Sequence, residues 1–279
     1  MSKYYYLIAG LPELALEDNK LYCSIADFKR EYYPFLSKQD RQLLDLFYLQ
    51  FDNANVLKLL KDRDAAIDTR GLYSKNELLE EISLMKGGAE VNECGLPSYL
   101  AVFLSNYFKD SFDTSVLWDD RLAGLYYAYA LKCKNRFMTD WFDFNLTVNN
   151  VLVALTARKY KMDVASQIVG DTSVCEALRT SNARDFGLSA SIDYWEQLVK
   201  AGETDELVER EKRIDQLRWN WLEEHSVFQY FTIERIIVFF QQLSIIERWM
   251  PLDKDRGNQM FRSIIAALKD EVQIPEEFR

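Results

Sequence analysis

A chain of 279 residues with 48% hydrophobic content can bury one large core or two ordinary ones. Its formal charge of -10 excludes the net cationic surface that dominates nucleic-acid affinity, so no nucleic-acid partner is expected and basic protein surfaces fit better. Only 10 glycines and 5 prolines occur, well below ordinary usage, which predicts long helices.

The N-terminal segment has no long apolar stretch and no small-residue cleavage site, so it is not a signal peptide. The most apolar segment, residues 236–246, contains Gln241, Gln242 and Ser244 and falls short of the about 20 apolar residues that span a bilayer. The cysteines are too far apart in sequence for a CxxC zinc or redox site, and we expect reduced thiols in a cytoplasm. They are Cys23, Cys94, Cys133 and Cys175.

Helix-start signals occur three times near the N-terminus, each with a serine three residues before a carboxylate. The pairs are Ser24 with Asp27, Ser37 with Asp40, and Ser74 with Glu77. The first helix is predicted to end at Pro34, the second to run over 38–64, and the third to end at Gly87 and Gly88. Pro97 fits the first turn of the next helix. Further helices are predicted at 114–136, 139–165, 171–181, 189–200, 205–225, 232–250 and 257–272.

Two of these helices differ in their surfaces. Residues 205–225 are amphipathic with dense charge, which predicts a solvent-facing helix. Residues 231–249 are apolar nearly all round, apart from Glu234, Gln241 and Arg248 at seven-residue spacing. This helix is expected to lie centrally, packed on several sides. Without a convincing strand pattern, the prediction is an all-α protein.

A nine-residue pattern occurs twice: NVLKLLKDR from Asn55 to Arg63, and NVLVALTAR from Asn150 to Arg158. The shared aliphatic positions follow from helix amphipathicity alone. Asparagine has poor helix propensity, so its repeated use within a helix predicts a hydrogen-bonding role at a packed junction or lining surface. The asparagines and arginines therefore carry the inference of a duplicated unit.

With Asp52 added, the first copy resembles the recurring helix motif of the V/A-type ATPase C-subunit family, whose eukaryotic homologue is the V-ATPase d-subunit. In that family an acid, an Asn, aliphatic residues and a basic residue recur in three lobes. The second copy departs from it at Thr147 and Ala154. The segment 231–249 resembles the third lobe in position and character, without its Asn and paired acids. The N-terminal YYYLIAGLP resembles a divergent bacterial subgroup encoded with V-type ATPase genes.

The resemblance implies a multi-lobed helical funnel, with lobes of roughly 1–90, 91–187 and 188–279. It implies a non-catalytic adaptor without cofactor or metal, cytoplasmic and peripheral to the membrane, that links the central shaft to the membrane rotor ring. The candidate repeat and interface residues are Asp52, Asn55, Arg63, Asn150, Arg158, Glu234 and Arg248. A helical scaffold or regulatory adaptor for another complex is the alternative function.

Residues for catalysis are sparse. The single histidine, His225, cannot supply the motifs of a di-iron bundle or an HExxH zinc site, and its position near a helix C-terminus fits the helix dipole. There is no phosphate-binding glycine loop. A third hypothesis is an all-helical enzyme with a buried acidic site formed by Asp119, Asp120 and Asp140.

Clustered aromatic residues fit either core packing or interface anchors. They are Tyr4 to Tyr6, Tyr126, Tyr127, Tyr129, Trp219 and Trp221. Because Trp219 and Trp221 lie about 200° apart on one helix, they cannot both face one core. One of them is expected at an interface or beneath another lobe.

Overall fold

A computed structural model describes residues 4–18, 20–109 and 117–250, and the regular elements in these ranges are all helical. The prediction of an all-α protein is confirmed. The α-helices are α1 (Tyr5–Ala9), α2 (Ile25–Tyr32), α3 (Lys38–Lys61), α4 (Lys75–Lys86), α5 (Ser98–Phe108), α6 (Trp118–Ala130), α7 (Arg136–Lys159), α8 (Ser173–Thr180), α9 (Trp195–Glu203), α10 (Leu207–Ser226) and α11 (233–250). None of the described helices combines the length and the hydropathy that a membrane-spanning segment needs.

The three predicted serine caps are confirmed. Ser24, Ser37 and Ser74 each accept the backbone N–H three residues later, at the starts of α2, α3 and α4. These bonds satisfy donors that the first helical turn leaves without partners. Short polar side chains therefore fix where the early helices begin.

Several predicted helix bounds are wrong. α6 ends at Ala130 instead of residue 136, and α9 begins at Trp195 instead of residue 189. α3 stops at Lys61 instead of residue 64, because Asp62 takes an extended conformation. α7 stops at Lys159 instead of residue 165, because the chain turns at Lys161, whose φ of 56° is left-handed. α1 was not predicted, and the helix expected at 257–272 lies outside the described residues.

The chain divides into two compact units. One contains the described residues before Leu36 together with those from Gln229 onward, and the other runs from Leu36 to Phe228. The three-lobe division of the sequence stays a prediction.

In the first unit, α2 packs on α11. Phe28 is fully buried, with its ring centroid 5.1 Å from that of Phe240. Glu247 of α11 accepts the backbone N–H of Ile25 at 2.7 Å, so a carboxylate satisfies the first residue of α2. Most of α11 is buried, as expected from its apolar sequence.

In the second unit, α6 packs against both α3 and α7, the two 24-residue helices that carry the repeated pattern. Tyr126 of α6 donates its hydroxyl to the Leu46 carbonyl of α3 at 2.8 Å. Tyr126 also contacts Phe142 of α7, whose ring stacks on Phe47 of α3. The two repeat helices are thus joined through one aromatic core.

The helix α10 is less exposed than its charge density predicted. Trp219 and Trp221 are both buried, and the ring of Trp221 stacks on Phe144 of α7 at 5.3 Å. On the opposite side of the helix, Trp219 donates its indole N–H to Glu223 at 2.7 Å. Two opposite faces of this helix are therefore covered.

Candidate functional site

The first repeated asparagine, Asn55, is fully buried in α3 and binds the loop that follows. Its Nδ2 donates to the Asp68 carbonyl at 2.9 Å, and its Oδ1 accepts the Asp68 N–H at 2.8 Å. The side-chain amide thereby replaces a peptide group, pairing with both backbone groups of one residue. We call this pair the first anchor, and residues 62–74 the first loop.

Asp52 lies one turn before Asn55 and holds the same loop nearer its end. Its buried carboxylate accepts the N–H of Leu72 at 2.8 Å and that of Tyr73 at 3.3 Å. A Cβ on Gly71 would overlap the Asp52 Oδ1, so this approach requires glycine. Burial, with the Asp52 charge as a smaller cause, raises the pKa of Tyr73 to about 12.

The second asparagine, Asn150, does the same job in α7. Its Nδ2 donates to the Val169 carbonyl at 2.7 Å, and its Oδ1 accepts the Val169 N–H at 3.0 Å. The buried thiol of Cys175 lies 3.3 Å from the same Nδ2. We call this pair the second anchor, and residues 160–172 the second loop.

Two further residues shape the second loop. Gly170 has a φ of 86°, and a Cβ there would lie 3.1 Å from a methyl group of Leu146. Arg179 of α8 donates to the Ile168 and Gly170 carbonyls at 3.0 and 2.6 Å, one on each side of Val169. Thr147, which replaces Asp52 in the pattern, is buried.

The two arginines of the pattern do not match in position. Arg158 donates to the carbonyls of Ser181, Ala183 and Arg184 at 2.6 to 3.0 Å, with its guanidinium 3.4 Å from the Phe186 ring centroid. Desolvation lowers the pKa of Arg158. By contrast, Arg63 is exposed and lies beyond the end of α3. The expected equivalence of the two arginines is therefore wrong, because α3 ends before reaching Arg63.

The remaining candidate residues are in the other unit. Glu234 is half-buried and Arg248 is exposed on α11, with the Arg248 guanidinium 5.4 Å from the Trp249 ring centroid. Their proposed interface role stays a prediction.

The loop residues that the asparagines bind were not identified from sequence. Asp68 and Val169 use only backbone groups in the anchors, so their side chains give no signal. A usable signal is the glycine that follows each motif, Gly71 or Gly170, because each closely approaches the repeat helix. An Asp or Asn within a helix, together with a glycine in the loop that follows, therefore predicts that the side chain binds the backbone of that loop.

The first loop forms one wall of a cleft of about 940 Å³. Leu72 and Tyr73, held by Asp52, face this cleft together with Leu43, Tyr129 and Lys132. Its lining is mixed in charge and polarity. The first copy of the motif thus positions an accessible surface as well as stabilising the fold.

The acidic residues suggested for catalysis do not form a buried group. Asp119 and Asp140 are exposed, and Asp140 pairs with Arg136 at 3.5 Å. His225 stacks on Trp221 and bonds the Trp221 carbonyl at 2.8 Å. In the described part of the chain, no three His, Cys, Asp or Glu side chains are grouped closely enough to hold a metal ion.

One family model matches residues 1–272, nearly the whole chain, and its description is protein of unknown function (DUF2764). No curated protein and no solved structure is significantly similar to the chain.

Proposed function

We propose a mechanical function for this chain, which belongs to the DUF2764 family of proteins of unknown function. In this proposal it is a central-stalk adaptor of a V/A-type ATPase, joining the central shaft to the membrane rotor ring. It transmits torque, catalyses no reaction and reaches the cytoplasmic face of the membrane through protein contacts only.

The observation that carries the proposal is the equivalence of the two anchors. Asn55 and Asn150 occupy the same position in the motif that resembles the C-subunit family, and each pairs with both backbone groups of one loop residue. A shared contact supports a duplicated structural unit more strongly than shared aliphatic positions do. Internal duplication of helical lobes is what the resemblance to that family implies.

The anchors also suit a part that transmits force. A loop tied to a buried amide at two points resists displacement, because breaking the pair leaves polar groups without partners. The first loop has Asp52 as an additional buried tie, and the second has Arg179, which binds the Ile168 and Gly170 carbonyls. Both repeat helices therefore move together with the loops that follow them.

Co-purification tests this function. The tagged chain is isolated under mild conditions from cells that naturally make it, and the associated proteins are identified by mass spectrometry. We expect the central-shaft and rotor-ring proteins of a V-type ATPase, and we expect ATP-driven ion transport by membranes to fail when the chain is removed. Association with neither the shaft nor the ring would contradict the proposal.

The net charge of -10 also favours a second candidate, a helical scaffold or regulatory adaptor for another basic partner. The same experiment separates the two functions. A stable complex that contains no ATPase component, together with unchanged ion transport, would support the scaffold.

A further inference from the structure

Three exposed cations lie at or just beyond the end of α3, and the charge of one of them, Lys58, is a minor cause of the lowered pKa of Asp68. Lys58, Lys61 and Arg63 are exposed, and none forms an ion pair or a side-chain hydrogen bond with the described residues. At the matching end of α7, Arg158 is occupied by three carbonyls and Lys159 pairs with Asp205 at 2.9 Å. Of these cations only Arg63 and Arg158 are equivalent in the motif: the second copy binds its own chain with its arginine, while the first presents its arginine to solvent. Lys58 and Lys61 occur in the first copy alone.

A groove of about 490 Å³ begins at these lysines and runs along α3. Its α3 wall is formed by residues spaced i, i+3, i+4, i+7, i+8 and i+11, a single face of the helix. They are Gln50, Asn53, Ala54, Leu57, Lys58 and Lys61. At 1.5 Å per residue this wall is about 17 Å long, or about three helical turns.

The opposite wall is one face of α6, with residues at the same helical spacing. They are Asp119, Leu122, Ala123, Tyr126 and Tyr127. Ala54 and Ala123 are small residues, one on each wall, so a backbone can approach closely between the two helices. Asn149 of α7 lines the groove too, and its Nδ2 donates to the Tyr127 hydroxyl at 3.2 Å.

We propose that this groove binds an acidic α-helix of a partner protein, with Asp or Glu side chains of that helix placed against Lys58 and Lys61. Two facing rows of side chains at helical spacing receive a third helix by ridges-into-grooves packing. Apolar contacts on the accessible Ala54 and the partly exposed Leu57 supply affinity, and the lysines orient the helix. This surface goes beyond the mechanical function, because it does not depend on which complex the partner belongs to.

The shape and charge of the surface favour a protein helix over other anions. A bilayer or nucleic acid is attracted by many cations, and the chain as a whole carries -10. The basic region is limited to the end of α3, and Asp119 lies on the facing wall. A helix with a few acidic residues at one end matches this small area.

Site-specific photo-crosslinking tests the proposal. The variant Ala54→p-benzoylphenylalanine is produced in cells that naturally make the protein, irradiated, and its crosslinked peptides are sequenced by mass spectrometry. We expect a peptide from another protein that forms a helix and carries Asp or Glu residues within one turn of each other. The same probe at exposed Gln197 of α9 is the control and gives no such product.

Reversing the charge of the two groove lysines provides a second test of the proposal. Lys58→Glu with Lys61→Glu is expected to lower the crosslink yield by about tenfold, the change that corresponds to about 1.4 kcal/mol of binding. Lys86→Glu with Lys200→Glu changes the net charge equally, again in the last turns of helices, and leaves the yield unchanged. Circular dichroism checks that both double variants fold.

Three results would overturn the proposal. They are a crosslink to a second copy of this chain or to lipid, a yield at Ala54 no higher than at Gln197, and an equal loss of yield in both double variants. None of these outcomes decides whether the chain co-purifies with an ATPase. The groove and the proposed function are thus tested separately.

Discussion

The two anchors are alike in their amides and different in the charges around them. Asn55 and Asn150 make the same pair of backbone contacts, although the bound residue is 13 positions away in one copy and 19 in the other. Asp52 strengthens the first anchor, whereas a threonine stands in its place in the second. The comparison shows that the asparagine amide makes the contact that both copies share. Each loop has further hydrogen bonds that the other lacks.

The chemistry of the amide explains this tolerance. An asparagine side chain presents one acceptor and a donor in the geometry of a peptide, so it pairs with the backbone of any residue other than proline. An aspartate and a valine can therefore take equivalent positions at Asp68 and Val169. The loops are free to vary in sequence while remaining bound.

Removing either amide is expected to have the largest effect on stability. Asn55→Leu takes from one N–H and one carbonyl of the loop the partner that the amide supplied, at about 1–3 kcal/mol each. Asn150→Leu does the same to the Val169 N–H, while the Val169 carbonyl keeps the weak Cys175 thiol at 3.3 Å. We expect the free energy of unfolding, measured in urea, to fall by about 2–6 kcal/mol in Asn55→Leu and by a smaller amount within that range in Asn150→Leu. Asn149→Leu, at an exposed position of the same helix, is the control and should cost about 1 kcal/mol or less. Equal losses of unfolding free energy in Asn149→Leu and Asn150→Leu would contradict the role of Asn150 as an anchor.

The glycine of the first loop gives the next largest effect. Gly71→Ala forces the Asp52 carboxylate away from Leu72 and Tyr73, and we expect a loss of about 2 kcal/mol in urea unfolding. Gly124→Ala, within α6, is the contrasting variant. The added Cβ would lie 3.7 Å from a methyl group of Val169, which is an ordinary van der Waals contact. It should gain about 0.5–1 kcal/mol, because alanine favours a helix. Destabilisation of the same size in both variants would argue against the close contact with Asp52.

The two copies of the motif differ most clearly in how their arginines contribute to stability. Arg158→Met loses charged hydrogen bonds to three carbonyls and the contact with Phe186, so thermal unfolding should show a loss of about 2 kcal/mol. Arg63→Met should change stability by about 0.5 kcal/mol at most, because its side chain is exposed. A large effect at Arg63 would mean that the first copy uses its arginine as the second does.

The smallest effect concerns pH. Hydrogen bonding to Arg70 lowers the pKa of Asp68 from 3.8. A lowered folded-state pKa contributes stability above pH 3.8, which decreases below that pH and is lost once the pH falls below the folded-state pKa. The difference in unfolding free energy between the wild type and Asp68→Asn should therefore be constant from about pH 5 to 7 and decrease in acid. The second copy has Val169 here, and Val169→Asn should show no such acid dependence.

Sequence reasoning identified the repeat helices, the serine caps of α2, α3 and α4, and the hydrogen-bonding role of Asn55 and Asn150. These features depend on local preferences and on one residue type that is unfavourable within a helix. The bound partners Asp68 and Val169 could not be predicted, because the anchors use only their backbone and the path of a loop depends on distant packing. Arg63 was wrongly predicted to lie within α3, because that helix ends three residues earlier than expected. The two arginines therefore have different environments, although each lies eight residues after its asparagine. The burial of both Trp219 and Trp221 likewise depends on what covers each side of α10.

The most direct test of the two equivalent anchors is amide hydrogen exchange, read by NMR at Asp68 and Val169 in the wild type, Asn55→Leu and Asn150→Leu. Both amides should be protected in the wild type. Exchange at Asp68 should accelerate at least about tenfold in Asn55→Leu alone, and exchange at Val169 in Asn150→Leu alone, since each N–H loses its acceptor. Unchanged protection of either amide in its cognate variant, with the fold intact, would contradict the claim that the two asparagines do the same work.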